Sequence, residues 1–233
     1  MRRPRAVPAA RALDWYSEAL RLWKRGPVMF AVLAFIVLVI SFAADRVPLA
    51  GVALAQILVP LAGCALQYAS LAADHGERPR LMHAIAVFSA PPHAMLSVIL
   101  ADVVAFAAQA ITARLMVDVD LTQAGASASD SLTVGARLAI YIVGLLASLP
   151  FTFVPFAALF DLADIRTAFR ESLDAFYRNL APMLLYGALT LVLSVLSFAT
   201  YGIGLLLVLP WIVAAAYAAW KDIFAVAAPT PEP

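Results

Sequence analysis

The sequence predicts an all-α fold, a polytopic membrane bundle of six transmembrane helices with amphipathic helices on the cytoplasmic side. Three observations carry this. Of 233 residues, 64% are hydrophobic and 13% charged, whereas ordinary soluble domains run near 45–50% apolar and about 25% charged. Six stretches are long and nearly free of charge, as a helix must be to cross about 30 Å of hydrocarbon with its backbone groups paired internally. Lys and Arg are also distributed unevenly between the segments that join them. A soluble globular domain is excluded. The net charge of +1 gives no basis for nucleic acid as a partner. The single cysteine, Cys64, excludes an intrachain disulfide or a cysteine metal cluster.

In chain order, Leu13, Tyr16, Leu20 and Trp23 recur at helical spacing opposite Arg11, Asp14, Glu18, Arg21 and Arg25. This predicts an amphipathic helix in the interface, Trp15 and Trp23 near the headgroups and the basic face on anionic lipid. The first span is 27–44, between Arg25 and Asp45. Ser41, Phe42 and Ala43 would suit signal cleavage, but the preceding segment contains Asp14 and Glu18 and reads as a structured helix, so an uncleaved span is expected. The second span, 47–73, stops at Asp74 and is long enough to tilt. A weaker amphipathic stretch, 81–88, precedes the third span, 94–113, which contains Asp102. The fourth is 138–160. Leu162, Ile165, Phe169, Leu173 and Phe176 then form a stripe opposite Asp164, Arg166, Arg170, Glu171, Asp174 and Arg178, a second interfacial helix. Spans at 180–200 and 203–220 follow, and the Pro-rich tail 225–233 reads as disordered.

Orientation comes from the retention of Lys and Arg on the cytoplasmic side. With both termini inside, only Arg46, Arg114 and Arg137 of the 16 basic residues fall outside. The outer 114–137 loop also holds Asp118, Asp120 and Asp130.

The single membrane domain, 1–233, reads as three tandem units, roughly 9–73, 81–160 and 162–222, each an amphipathic helix followed by a helical hairpin. Pro27, Pro91-Pro92 and Pro182 follow the three amphipathic stretches, where proline opens a helix without losing a bond. The returning spans carry interior prolines at Pro60, at Pro150 and Pro155, and at Pro210. Residues 144–151, GLLASLPF, align without gaps with 204–211, GLLLVLPW, and the two spans end in Phe160-Asp161 and Trp220-Lys221. Compositional bias toward Ala, Leu and Val is the competing explanation. The prolines read either as packing features or as kinks that shape a cavity.

Asp102 is the sharpest candidate, because a carboxylate near mid-membrane is costly and must face the bundle or water. With Gln67, Gln109 and Tyr141 it forms the candidate intramembrane polar site. One reading is a proton or cation site. The other is a protonated carboxyl hydrogen-bonded to another helix, with Gln67, Tyr68, Tyr141 or Ser148 as the partner. Gln56, Gln67 and Gln109 read individually as residues that hold helices together. His75, His83 and His93 have spacings that match no metal signature. No metal or cofactor is expected. His-Glu-x-x-His, Gly-x-Ser-x-Gly, a phosphate-cradling glycine loop and a spaced Asp cluster are absent from the sequence, so no catalytic residue is assigned. Asp161-x-x-Asp164 reads as the start of the amphipathic helix.

Short motifs carry a resemblance. Trp15 to Trp23 with Arg25-Gly26-Pro27, Asn179-Leu180-Ala181-Pro182, Gly202-x-Gly204 with Pro210, and Ala216-Tyr217 with Trp220-Lys221-Asp222-Ile223-Phe224 resemble uncharacterised bacterial six-helix membrane proteins of domain-of-unknown-function families. The last unit also looks like the membrane domain attached to some glycerophosphodiester phosphodiesterases, whose catalytic domain has no counterpart in this sequence. The resemblance implies a bacterial inner membrane and no particular reaction. The three-hairpin layout is similar to mitochondrial carriers, but their Pro-x-acid-x-x-base motif is missing. The expectation is a non-enzymatic structural or accessory protein of the inner membrane, with a membrane-protein partner or a second copy as possible company. The alternative is a small-solute or ion transporter or channel with Asp102 in its pathway.

Overall fold

The computed structural model describes residues 3–48, 50–122 and 132–226. These form nine α-helices, two 3-10 segments and no strand. In order they are α1 (Arg11–Trp23), α2 (Pro27–Ala44), α3 (Gly51–Asp74), a 3-10 helix (Leu81–Ser89), α4 (Pro92–Val117), α5 (Val134–Ser148), a 3-10 turn (Leu149–Phe151), α6 (Val154–Leu159), α7 (Ile165–Arg178), α8 (Leu180–Phe198) and α9 (Leu205–Ile223). Six stretches are long and apolar enough to cross a membrane: α2, α3, α4, the run Val134–Leu159, α8 and α9. In no span is more than 50% of the most apolar window buried inside the molecule. Large apolar side chains such as Phe35, Phe42, Leu115 and Leu196 therefore face outward, an exposure that a lipid bilayer covers and water does not. The chain is built as a multi-pass membrane protein.

The helix ends follow from local chemistry. Pro27 and Pro92 are the first residues of α2 and α4, where a missing N–H costs nothing. Thr133 caps α5 by accepting from the Ala136 N–H at 3.2 Å. Asp164 caps α7 by accepting from the Thr167 N–H and hydroxyl, each at 2.9 Å, and these bonds hold its carboxyl below the ordinary pKa. Gly76, at φ +85°, ends α3: the Glu77 N–H reaches Ala72 O at 2.9 Å and the Gly76 N–H reaches Ala73 O at 3.2 Å, a paired closure that favours glycine at the left-handed position. The second span starts at Gly51, later than expected, because residues 45–47 and 50–51 form turns. A Cβ on Gly51 would lie 2.3 Å from Ala44 O, so glycine is required there. Residues 123–131 of the outer loop, with Asp130, and residues 227–233 of the expected tail lie outside the described residues. Val226 donates its N–H to Lys221 O at 2.9 Å, so the start of that tail is ordered.

The fourth span breaks instead of kinking. α3 and α9 continue through Pro60 and Pro210, but Pro150 and Pro155 together remove two amide donors within five residues. Ser172 of α7 fills the break. Its hydroxyl donates to Pro150 O at 2.7 Å and accepts from the Phe153 N–H at 3.1 Å. The equivalence of 144–151 with 204–211 thus extends to sequence but not to local backbone.

The first amphipathic helix is rotated from its predicted face, whereas the second largely keeps its own. In α1 the buried residues are Ala12, Trp15, Tyr16, Ala19 and Leu22, while Leu13 and Leu20 are exposed. Trp15 is not at the headgroups: it is 1% exposed. The small Ala12 and Ala19 let α1 approach the bundle closely, leaving the leucines on the outside. In α7 the predicted stripe holds, with Phe176 buried and Ile165, Phe169 and Leu173 half-buried, but Glu171, expected on the polar face, is buried with Ala168, Ser172 and Ala175. The stretch 81–89 is a 3-10 helix that buries Val87 and exposes Leu81, Met82, Ile85 and Phe88.

The helices pack in a cyclic order. α1 lies on α9, the Leu81–Ser89 helix on α3, and α7 on α6. Each amphipathic segment therefore leans on the returning span that precedes it, and the first leans on the last. The N-terminal segment closes this ring: Asn179, 1% exposed, accepts from the Val7 N–H at 2.8 Å and donates to Arg5 O at 3.0 Å.

Candidate functional site

A cavity of about 220 Å³ lies among α3, α4, the broken fourth span and α9. From α3 come Pro60, Gly63 and Gln67, which lie at helical spacing on one face, and from α4 comes Asp102. The break supplies Ser148, Thr152 and Pro155. Gly63 leaves the wall open, for a Cβ there would meet nothing within 4 Å.

The polar groups of this wall are unevenly satisfied. Asp102 has no hydrogen bond or ion pair among the described residues, so the expected partner on another helix is not engaged. Gln67 Oε1 is buried without a donor. The Ser148 and Thr152 hydroxyls donate to Leu145 O at 2.8 Å and Leu149 O at 2.9 Å, which commits their protons to the backbone and leaves their oxygens as acceptors. The lining contains no Lys, Arg or His.

The structure brings Asp102 and Gln67 together and leaves Gln109 and Tyr141 elsewhere. Gln109 packs on the Gly144 backbone, where any Cβ would sit 2.0 Å from its amide nitrogen. Tyr141 stacks edge-on against Phe198 at 6.1 Å. Thr152 and Gly63 were not singled out from the sequence, although Gly63 shares a helix face with Pro60 and Gln67.

Beyond the cavity each returning span adds two further layers. The first is aromatic: Tyr68 of α3 meets Phe160 at 5.4 Å, and Phe160 meets Trp220 of α9 at 5.8 Å. Phe160 and Trp220, the residues that end the two similar spans, are thus in contact. The second layer is charged. Asp74, at the end of α3, is 4% exposed in its side chain and bonds Lys221, the Tyr217 hydroxyl at 3.1 Å and Arg21 at 3.3 Å. Asp222 accepts from Arg5, from Arg11 at 2.8 Å and from the Trp15 indole at 2.9 Å. Asp222 keeps the Arg11 guanidinium protonated above its ordinary range, and Glu18 does so first for Arg21. A cleft of about 370 Å³ beside this layer is lined by Arg5, Arg11, Glu18, Tyr217, Lys221 and Asp222, whose charges largely neutralise one another.

His75, His83 and His93 do not assemble a site: among the described residues no three His, Cys, Asp or Glu side chains converge on a metal position. Burial lowers the His83 pKa, and its Nδ1 accepts from the Arg80 N–H at 3.1 Å. Comparison with protein-family models, with curated proteins and with solved structures found no match to this chain.

Proposed function

We propose that this is a non-enzymatic protein of the bacterial inner membrane, with both termini cytoplasmic, that passes a small polar solute or ion by way of Asp102. The observation that carries the reading is a carboxylate without a partner among the described residues, on a cavity lined by four of the six spans. A purely structural Asp102 would be hydrogen-bonded to a neighbouring helix, since that is how a bundle offsets the cost of a carboxyl in hydrocarbon. The aromatic and charged layers support the reading, because on α3 Tyr68 and Asp74 follow Gln67 and so lie between the cavity and one end of the molecule. The distribution of Lys and Arg supports assigning that end to the cytoplasm.

The test replaces Cys64 with Ala and Asp102 with Cys, then measures labelling by small charged thiol reagents from each side. Labelling in a folded variant is expected. A thiol that stays unreactive from both sides under all solute conditions would remove Asp102 from any pathway.

A structural or accessory role is the second reading. It is favoured by the fixing of α1 to α9 through Trp15 and Asp222, which leaves Leu13 and Leu20 facing outward toward lipid, a second copy or another membrane protein. Crosslinking from Leu13→Cys in native membranes distinguishes these: a discrete protein adduct supports it, and labelling by lipid probes alone does not.

A further inference from the structure

We propose that the central cavity binds a small monovalent cation, either an alkali-metal ion or a primary ammonium group, with Asp102 as its counter-charge. The inference rests on the reading of the cavity as a solute site and adds the chemical class of the solute. Three features of the wall select for positive charge. The carboxylate of Asp102 has no basic residue among the side chains lining the cavity, and an ionised carboxylate inside a bundle requires a compensating charge. The two hydroxyls have given their protons to Leu145 O and Leu149 O, so their oxygens remain only as acceptors. Gln67 Oε1 lacks a donor. Carboxylate, hydroxyl and amide oxygens are the ligands of hard cations and of ammonium groups. An anion would meet the carboxylate of Asp102 with, among these groups, only the neutral amide of Gln67 as a donor, and a neutral apolar guest would leave all of them unpaired.

The cavity also has the shape for an occupant. Gly63 leaves space where any other residue would place a side chain, and Pro60 and Pro155 stand on the wall beside it. Pro60 weakens the backbone bonding of α3 one turn earlier.

The experiment measures thermal unfolding of the purified full chain in nanodiscs with sodium, potassium or methylammonium chloride. N-methylglucamine chloride at equal ionic strength is the control, its cation being too large for the cavity. A saturable rise in Tm is expected with at least one small cation. Response to sodium or potassium alone assigns an alkali-metal ion, and response to methylammonium alone assigns an ammonium group. Asp102→Asn should raise the half-saturating concentration by on the order of tenfold, the loss of one charged hydrogen-bond partner. Gly63→Leu keeps every polar atom and fills the space, so it should abolish the response while the protein stays folded, and it carries the test if Asp102→Asn fails to fold. Equal Tm in all four salts, or an unchanged response in both variants, overturns the proposal. Thiol labelling at position 102 separates the two ideas. Labelling without a cation effect sinks the cation site and keeps the solute path, whereas a cation effect lost in Gly63→Leu without labelling keeps the site and sinks the path.

Discussion

The Ser172 hydroxyl lies 2.7 Å from the carbonyl of Pro150, and this bond joins an amphipathic helix to the break in the fourth span. The same oxygen accepts from the Phe153 N–H, so one side chain satisfies a donor and an acceptor at the break in the helix. Ser172 and Phe153 are both 0% exposed, and water has no access to take its place. The break in turn presents Ser148 and Thr152 to the cavity.

Ser172→Ala is therefore expected to cost about 1–3 kcal/mol, the penalty of a buried backbone donor left unpaired. Cys64 is 0% exposed, which makes it an internal reporter: a thiol-reactive dye in a heating ramp should show a lower Tm for the variant. An unchanged Tm would mean that the break is held by packing alone.

Asp74 joins three helices, since it bonds Arg21 of α1 and Tyr217 and Lys221 of α9 from the end of α3. Asp74→Ala leaves Lys221, whose side chain is 17% exposed, without its partner, and should destabilise by about 3 kcal/mol. Lys221→Leu combined with Asp74→Ala should recover much of this, because no buried charge is then stranded. Thermal unfolding of the two single variants and the double variant gives the coupling directly, and strict additivity would show that the pair contributes nothing.

The six spans were legible because hydrocarbon thickness and backbone satisfaction leave few ways to read a long uncharged run. The rotation of α1 was not. Leu13 and Leu20 of α1 are apolar and regularly spaced, yet they face outward while Trp15 and Ala19 face in. At a membrane surface both faces of a helix can be apolar, so periodicity does not distinguish lipid from protein. Asp102 and Gln67 could be paired by depth and polarity. Gln109 and Tyr141 have similar credentials in sequence, but tertiary packing directs them to Gly144 and Phe198. Thr152 gave no signal, because its role depends on a break that needs both prolines and a serine from another helix. Trp15 and Asp222 lie at opposite ends of the chain, and their contact is a product of ring closure.

His83 supplies a pH dependence. Its imidazole Nδ1 accepts from the Arg80 N–H, and burial holds its pKa below the ordinary 6.5. A depressed folded pKa means that its contribution to stability is complete above the unfolded value and is lost as pH falls through the folded one. Hydrogen exchange at 80–89 should accelerate below pH 6.5 once intrinsic exchange rates are removed, with little change in the spans. His83→Gln should flatten that dependence. A segment equally protected across the range would show that the imidazole does not hold the Leu81–Ser89 helix.

Gly63 provides the last prediction. Glycine inside a helix costs about 1 kcal/mol relative to alanine, and nothing within 4 Å would oppose an added Cβ. Packing therefore gives no reason for glycine at this position, in contrast to Gly51, where Ala44 O leaves no room. Gly63→Ala should raise stability by about 0.5–1 kcal/mol through backbone entropy alone. Because its methyl enters the cavity from the face that carries Gln67, it should also weaken the response to small cations. A variant that is both more stable and less responsive would identify the glycine as space kept open for a ligand. Greater stability with the cation response intact would assign it to neither packing nor binding.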